Sequence, residues 1–217
     1  MPLRTRPTHR SAAVELSRRD PVLAALMTAV GPPRLQPPLP SHFAALVRAI
    51  TYQQLAGRAA AAIHGRLVTL LDGDVTPERV LALSAEAMRS AGLSAAKAAS
   101  IVDLAARTAD GTVVLDPRGI AREPDEEIIE RLSTVRGIGR WTAEMFLIFQ
   151  LRRLDVWPCD DLGVRTGYGI AFGVVTPTPR ELATLGDGFR PFRSVAAWYC
   201  WRAVERARGA AATAVTG

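Results

Sequence analysis

Apolar residues recur at helical spacing along most of the 217-residue chain, and prolines, glycines and short polar caps cut that pattern into segments. Asp20-Pro21 pairs an N-cap with a proline at the first helical position and predicts a helix to about Val30. The proline-rich run Gly31–Pro40 cannot continue a helix and reads as a stiff connector. Ser41 then caps a strongly apolar helix from Phe43 to about Leu55, and a second helix runs from about Gly57 to Leu71. Thr76-Pro77 and Ser84 open two short helices, the latter stopped at Gly92, and Ser94 opens a helix to about Ala109. Apolar periodicity over 125–135 and 140–151 predicts two more helices. After them come a Gly-containing segment from Asp161 to about Phe172, a short helix from Thr178-Pro179 and a last helix from about Arg193 to Arg208. Only Thr112–Leu115 hints at strand alternation, and it is too short to build a sheet, so the predicted fold class is all-α. Residues 1–10 are expected to be flexible, and 209–217 to form a disordered tail.

Composition narrows the partner rather than the fold. At 48% hydrophobic, the chain can bury a core, as one body or two small lobes. Aromatics are only 6%, so each of the four tryptophans needs an account. The net charge of +6 favours a polyanionic partner, although a GC-rich coding bias gives the same surplus. Lys97 is the single lysine, so nearly all of the positive charge is arginine, which forks onto phosphates well. Two cysteines, Cys159 and Cys200, cannot supply the four thiolates of an iron–sulfur cluster, and His9, His42 and His64 are too scattered to suggest a zinc site. No apolar run reaches membrane-spanning length and the first residues lack a signal-peptide core, so the expectation is a cytoplasmic monomer without membrane contact, nucleoid-associated if bacterial.

The most informative stretch is Leu132-Ser-Thr-Val-Arg-Gly-Ile-Gly-Arg-Trp-Thr-Ala-Glu-Met145, followed by Cys159-Asp160-Asp161. Gly137-Ile138-Gly139 separates two helical segments and reads as a tight helix–helix hairpin. Glycine there tolerates unusual backbone angles and lets a ligand approach the main chain. The second helix would start right after the turn with its free N–H groups pointing outward, a ready phosphate site to which Arg140 adds a cation. Hairpin, basic first turn and downstream aspartate together resemble the helix-hairpin-helix DNA glycosylases, specifically their AlkA-like 3-methyladenine branch. Phe43–Ala60, Gly92–Ala98 and Phe189–Trp201 resemble further segments of that family in the same order, so the resemblance spans residues 20–208.

The resemblance implies a two-lobed helical fold with a DNA-binding cleft between the lobes: a central lobe over 42–153, and a second lobe built from 11–41 plus 154–208. It implies a monofunctional glycosylase of base excision repair that acts on alkylated purines such as 3-methyladenine and 7-methylguanine in double-stranded DNA. Asp161 would stabilise the oxocarbenium-like charge on C1′ as the glycosidic bond breaks, or cap the following helix, or both; Asp160 would support it or stand in its place. Trp201 and Trp141 would stack on the cationic base, with Met145 and Leu162 completing the pocket, or else be plain core packing. Met145 and Leu162 stand where some AlkA-like enzymes carry tyrosines. Gln54 would plug the gap left by the flipped nucleotide, with Leu55 and Gln53 as alternatives and a simple helix-end role as the bland reading.

In the hairpin, the backbone of Gly137 and Gly139, with Arg140 and Thr142, would hold a DNA phosphate. The carbonyls of Ser133, Val135 and Ile138 would hold a monovalent cation, Na+ or K+, and no other cofactor is implied. Bifunctional members of the superfamily carry a Schiff-base lysine at the position of Trp141; with Lys97 the only lysine, no strand cleavage is expected. Two other functions fit parts of the pattern: a glycosylase for hypoxanthine or uracil, and a non-catalytic module that binds damaged DNA.

Overall fold

The structure is a computed structural model that describes residues 7–55 and 57–215. Thirteen α-helices and no β-strand occur among the described residues. In chain order they are α1 (His9–Arg19), α2 (Pro21–Val30), α3 (His42–Tyr52), α4 (Gly57–Leu70), α5 (Pro77–Ala82), α6 (Ala85–Ser90), α7 (Ala95–Ala109), α8 (Pro117–Ile120), α9 (Asp125–Ser133), α10 (Arg140–Phe149), α11 (Leu162–Phe172), α12 (Pro179–Leu185) and α13 (Arg193–Val215). Most begin where a short polar side chain accepts a hydrogen bond from the first turn, as Asp20, Ser41, Thr76, Ser84, Ser94 and Thr178 do.

The chain divides into two compact units, Met1–Gln36 with Arg152–Gly217, and Pro37–Leu151; the sequence expectation set these limits at 42 and 153. In the discontinuous unit, α11 packs along α13, with α1 and α2 against the same helix. Its core contains Leu16, Leu23, Trp157, Val164, Tyr168, Phe189, Trp198 and Tyr199. The phenol of Tyr199 donates to Gly31 O at 3.2 Å, and burial pushes its pKa up to about 12. In the central unit, α3 meets α4, α7 and α10, while α9 and α10 pack on each other across the hairpin. Leu46, Ile50, Leu67, Ile101, Leu104, Ile128, Leu132 and Leu147 are fully buried there.

Three local expectations need correction. His9 and Arg10 are not loose but open α1, because Thr8 and Ser11 form a reciprocal capping box; residues 1–6 lie outside the described residues. The segment from Gly209 is not disordered but continues α13 to Val215, because a run rich in alanine, the best helix former, tolerates one glycine; residues 216–217 lie outside the described residues. Thr112–Leu115 builds no sheet, as its shortness implied, and Asp116-Pro117 caps the short α8 right after it. Finally, α3 ends at Tyr52 rather than near Leu55, because Gln54 turns into the left-handed region at φ 55°.

Candidate active site and nucleic-acid interface

In the discontinuous unit, a buried segment, Val156-Trp157-Pro158, leads into Asp161. Ser194 Oγ accepts from Val156 N–H at 2.9 Å, and the Trp157 indole donates to Leu182 O at 2.8 Å, so this approach is fixed from both sides. Asp161 is the N-cap of α11, and its Oδ1 accepts from Val164 N–H at 2.8 Å. The same oxygen accepts from the indole N–H of Trp201 at 2.9 Å. This half-buried carboxylate therefore caps α11, and its direction is set by two charge-assisted hydrogen bonds. Asp160 is exposed beside it, and Leu162, at 65% exposure, opens the helix.

The glycines of α11 explain how Trp201 reaches Asp161. A Cβ on Gly167 would lie 1.9 Å from Cys200 O, and one on Gly163 would lie 2.9 Å from Trp201 Cδ1 and 3.0 Å from Asp161 Oδ1. The helix weakening that these glycines bring is thus the condition for the close approach of α11 to α13. Trp198 and Tyr199, on other faces of α13, are core residues. Cys200 is fully buried, and burial, with the nearby Asp161 charge, pushes its thiol pKa well up.

The central unit holds the hairpin. α9 ends at Ser133, Val135 and Ile138 are buried in the turn, and Gly137 lies at φ 74°. Ile138 N–H donates to Val135 O at 3.1 Å. Gly139 caps α10 without any side-chain hydrogen bond, so the first N–H groups of α10 have no side-chain cap. The Arg140 guanidinium, which was expected at the phosphate, forks onto Glu126 at 2.6 and 2.7 Å and lies 3.3 Å from Glu144. That pairing holds the Glu126 carboxyl below its ordinary value. Trp141, 43% exposed, and half-buried Met145 are four residues apart on α10 and share a face.

The turn after α3 departs most from expectation. Gln53 carries no free amide for DNA: its Nε2 donates to Gly137 O and to Thr142 Oγ1, both at 3.0 Å. Thr142 is itself buried, and its hydroxyl accepts from Gln53. Gln54 and Leu55 are exposed, and Gln54 has the left-handed backbone that non-glycine residues seldom adopt. Lys97, in the first turn of α7, donates from Nζ to Thr51 O and Gln53 O, both at 2.7 Å. Burial lowers its pKa, but the two carbonyls hold the ammonium at the C-terminal end of α3. α7 also reaches the hairpin: Asp103 accepts from Arg136 N–H at 2.8 Å, and Ser100 Oγ would be 2.4 Å from a Cβ on Gly137. The sequence carries a signal for these missed roles, since Lys97, Ser100 and Asp103 repeat at i, i+3 and i+6 along one helix face.

The central unit thus carries a tight hairpin whose second helix has no side-chain cap, and the discontinuous unit carries a capping aspartate bonded to an indole. Residues 47–191 match the family described as HhH-GPD superfamily base excision DNA repair protein. The chain belongs to that superfamily. It is 40% identical over 160 residues to DNA-3-methyladenine glycosylase 1 of Schizosaccharomyces pombe, covering 72% of this chain and 70% of that one. It is 32% identical over 199 residues to the alkylbase DNA glycosidase-like protein mag2 of the same yeast, covering 89% and 93%. The HhH-GPD fold also matches the solved S. pombe 3-methyladenine DNA glycosylase in complex with abasic DNA, with a TM-score of 0.79, 37% identity and coverage of 88% and 95%. A DNA-3-methyladenine glycosidase from Bacillus halodurans matches with a TM-score of 0.79 at 33% identity, over 92% of each chain.

Proposed function

We propose that the protein is a monofunctional DNA glycosylase that hydrolyses the N-glycosidic bond of alkylated purines in duplex DNA. The observation that carries this reading is the Asp161 carboxylate, whose Oδ1 is fixed by both Val164 N–H and the Trp201 indole. An alkylpurine such as 3-methyladenine bears positive charge and leaves with the bonding electrons, so the reaction needs little acid catalysis. What it needs is a fixed negative charge beside C1′ while the sugar becomes oxocarbenium-like, and a carboxylate held at a set direction supplies that without reorganising. A water molecule then adds to C1′ and leaves an abasic site. The indole face of Trp201 stacks on the cationic base, with Leu162 and a supporting Asp160 beside Asp161, and Trp141 with Met145 on α10 offers an aromatic and apolar face suited to the same kind of base.

DNA is held without reading its sequence. The uncapped N–H groups at the start of α10, with the Gly137 and Gly139 backbone, take a phosphate, and Gln54 or its neighbour Leu55 fills the gap left by the flipped nucleotide. Val135 O accepts one hydrogen bond and so keeps a second lone pair. With the carbonyls of Ser133 and Ile138, it suits a Na+ or K+ ion that would bridge hairpin and phosphate. No other cofactor enters the reaction. Strand cleavage is not expected, because Trp141 stands where a Schiff-base lysine is needed and the one lysine amine is bound to backbone carbonyls.

The test uses methylated duplex DNA with the wild type and Asp161→Asn. Release of free 3-methyladenine or 7-methylguanine by the wild type, lost by at least about a hundredfold in the variant while DNA binding persists, is the expected result. Equal release by both proteins would overturn the role of Asp161. Tight DNA binding without release of either base by the wild type would overturn the substrate class.

A further inference from the structure

The turn that carries Gln54 and the hairpin turn at Gly137 are far apart in sequence, yet one helix, α7, holds both. Lys97 Nζ grips the carbonyls of Thr51 and Gln53 at 2.7 Å. Along the same face, Ser100 packs on Gly137, and Asp103 Oδ2 accepts the Arg136 amide at 2.8 Å while Arg107 Nε donates to that same oxygen at 3.0 Å. Gln53 closes the loop, because its side-chain amide spans to Gly137 O and Thr142 Oγ1. The residue before Gln54 is thus held through its carbonyl by α7 and through its side chain by the hairpin. Gln54 follows at φ 55° with its side chain in solvent. A non-glycine residue keeps such a backbone only where its surroundings over-determine it, and these four hydrogen bonds do so.

Resting on the DNA-glycosylase reading above, we propose that Lys97 and Gln53 are positioning residues that lock the Gln54 turn to the phosphate-binding hairpin, so that gripping the backbone and filling the helix gap occur in one rigid register. The only lysine of the chain therefore works through the geometry of Gln54 and not as a nucleophile. An ammonium is suited to this place. It offers three donors to the unsatisfied carbonyls at the end of α3, and its charge complements the negative end of the helix dipole. Because Gln53 contacts Gly137 O, a shift of the hairpin on phosphate binding would move the plug with it, and a plug without this tie would sample many directions. The register matters only for DNA that has a gap to fill. Intact duplex offers the Gln54 turn no gap to fill, so the lock should act on discrimination between gapped and intact DNA.

The experiment measures Kd for a duplex with a central tetrahydrofuran abasic analogue and for the same duplex intact, at one salt concentration. It compares the wild type, Lys97→Met, Gln53→Ala, Gln54→Ala and the two double variants that contain Gln54→Ala. Expected is a loss of about fivefold to tenfold in the gapped-to-intact preference for Lys97→Met and for Gln53→Ala, with intact-duplex affinity within about twofold of wild type, and no further loss when either is added to Gln54→Ala. Lys97→Arg, which keeps the charge, should recover part of the preference. Gln53→Ala removes only a half-buried amide, so it provides the measurement if Lys97→Met fails to fold. An unchanged preference in Gln53→Ala overturns the proposal, as does equal weakening on both duplexes, or the same loss with and without Gln54. These readouts do not need base release, so a wild type that releases no alkylpurine would refute the proposed activity while leaving this comparison decisive.

Discussion

Asp161 and Trp201 are 40 positions apart and meet through one hydrogen bond of 2.9 Å, which ties the carboxylate to the helix that also supplies an aromatic face. Removing the donor while keeping an aromatic ring separates these two jobs. Trp201→Phe is expected to slow single-turnover release of 7-methylguanine by about tenfold to a hundredfold, the range for a hydrogen bond to a charged group, with affinity for abasic DNA within about twofold of wild type. A rate equal to wild type would show that the indole N–H does not aim Asp161. Arg140 was easy to find in the sequence as a cation beside the hairpin, and Glu144 follows it at i+4 on the same helix. The fork onto Glu126 was not legible, because that residue sits 14 positions earlier on α9 and only the folded hairpin brings it close. Gln53 teaches the same lesson. Paired glutamines at a helix end point to DNA when read in sequence, whereas a buried Thr142 hydroxyl and a Gly137 carbonyl 84 positions away claim the first of them.

At the scale of the element, α11 gives up helix propensity to gain proximity. A Cβ at position 167 would meet the Cys200 carbonyl oxygen at 1.9 Å, and its three nearest neighbours are all Cys200 backbone atoms rather than a flexible side chain that could yield. Gly167→Ala is therefore expected to destabilise the fold by about 2–3 kcal/mol, as overpacking of a tight contact does, lowering the melting temperature by roughly 5–10 °C for a chain of this size. An unchanged melting temperature would contradict the close packing of α11 on α13. α7 offers a pH test. The Arg136 amide, and after it the Arg107 side chain, hold the Asp103 carboxyl below its ordinary value of 3.8. A carboxyl with a depressed native pKa adds stability above its unfolded value, and that stability is lost as pH falls through the lower native value. Asp103→Asn should thus lower the urea midpoint at pH 6 and should converge with wild type below pH 3.8, toward and past the native value. Parallel midpoints across that range would show that Asp103 does not anchor the hairpin.

At the scale of the whole molecule, the helical architecture and most helix starts could be read from periodicity and caps, because Asp20-Pro21, Ser41, Thr76-Pro77, Ser94 and Thr178-Pro179 are local signals. The capping box at Thr8 was equally local but hidden in a short basic stretch, and the extension of α13 through Gly209 depended on the alanines beyond it. Networks between distant segments, such as α7 with the hairpin, leave no local trace beyond their helical spacing. The whole-chain charge of +6 and the uncapped start of α10 predict binding to duplex DNA that weakens with salt. Arg140→Ala should flatten the log–log salt dependence by about 0.9 if Arg140 exchanges its glutamates for one phosphate on binding, and by nothing if it stays paired.

The most direct test of the central claim is to incubate the wild-type protein with methylated duplex DNA, quantify the bases released, and examine the strands on a denaturing gel before and after alkali. The account predicts free 3-methyladenine and 7-methylguanine with strands that break only after alkali. Intact methylated purines throughout, or strand breaks that appear without alkali, would contradict it.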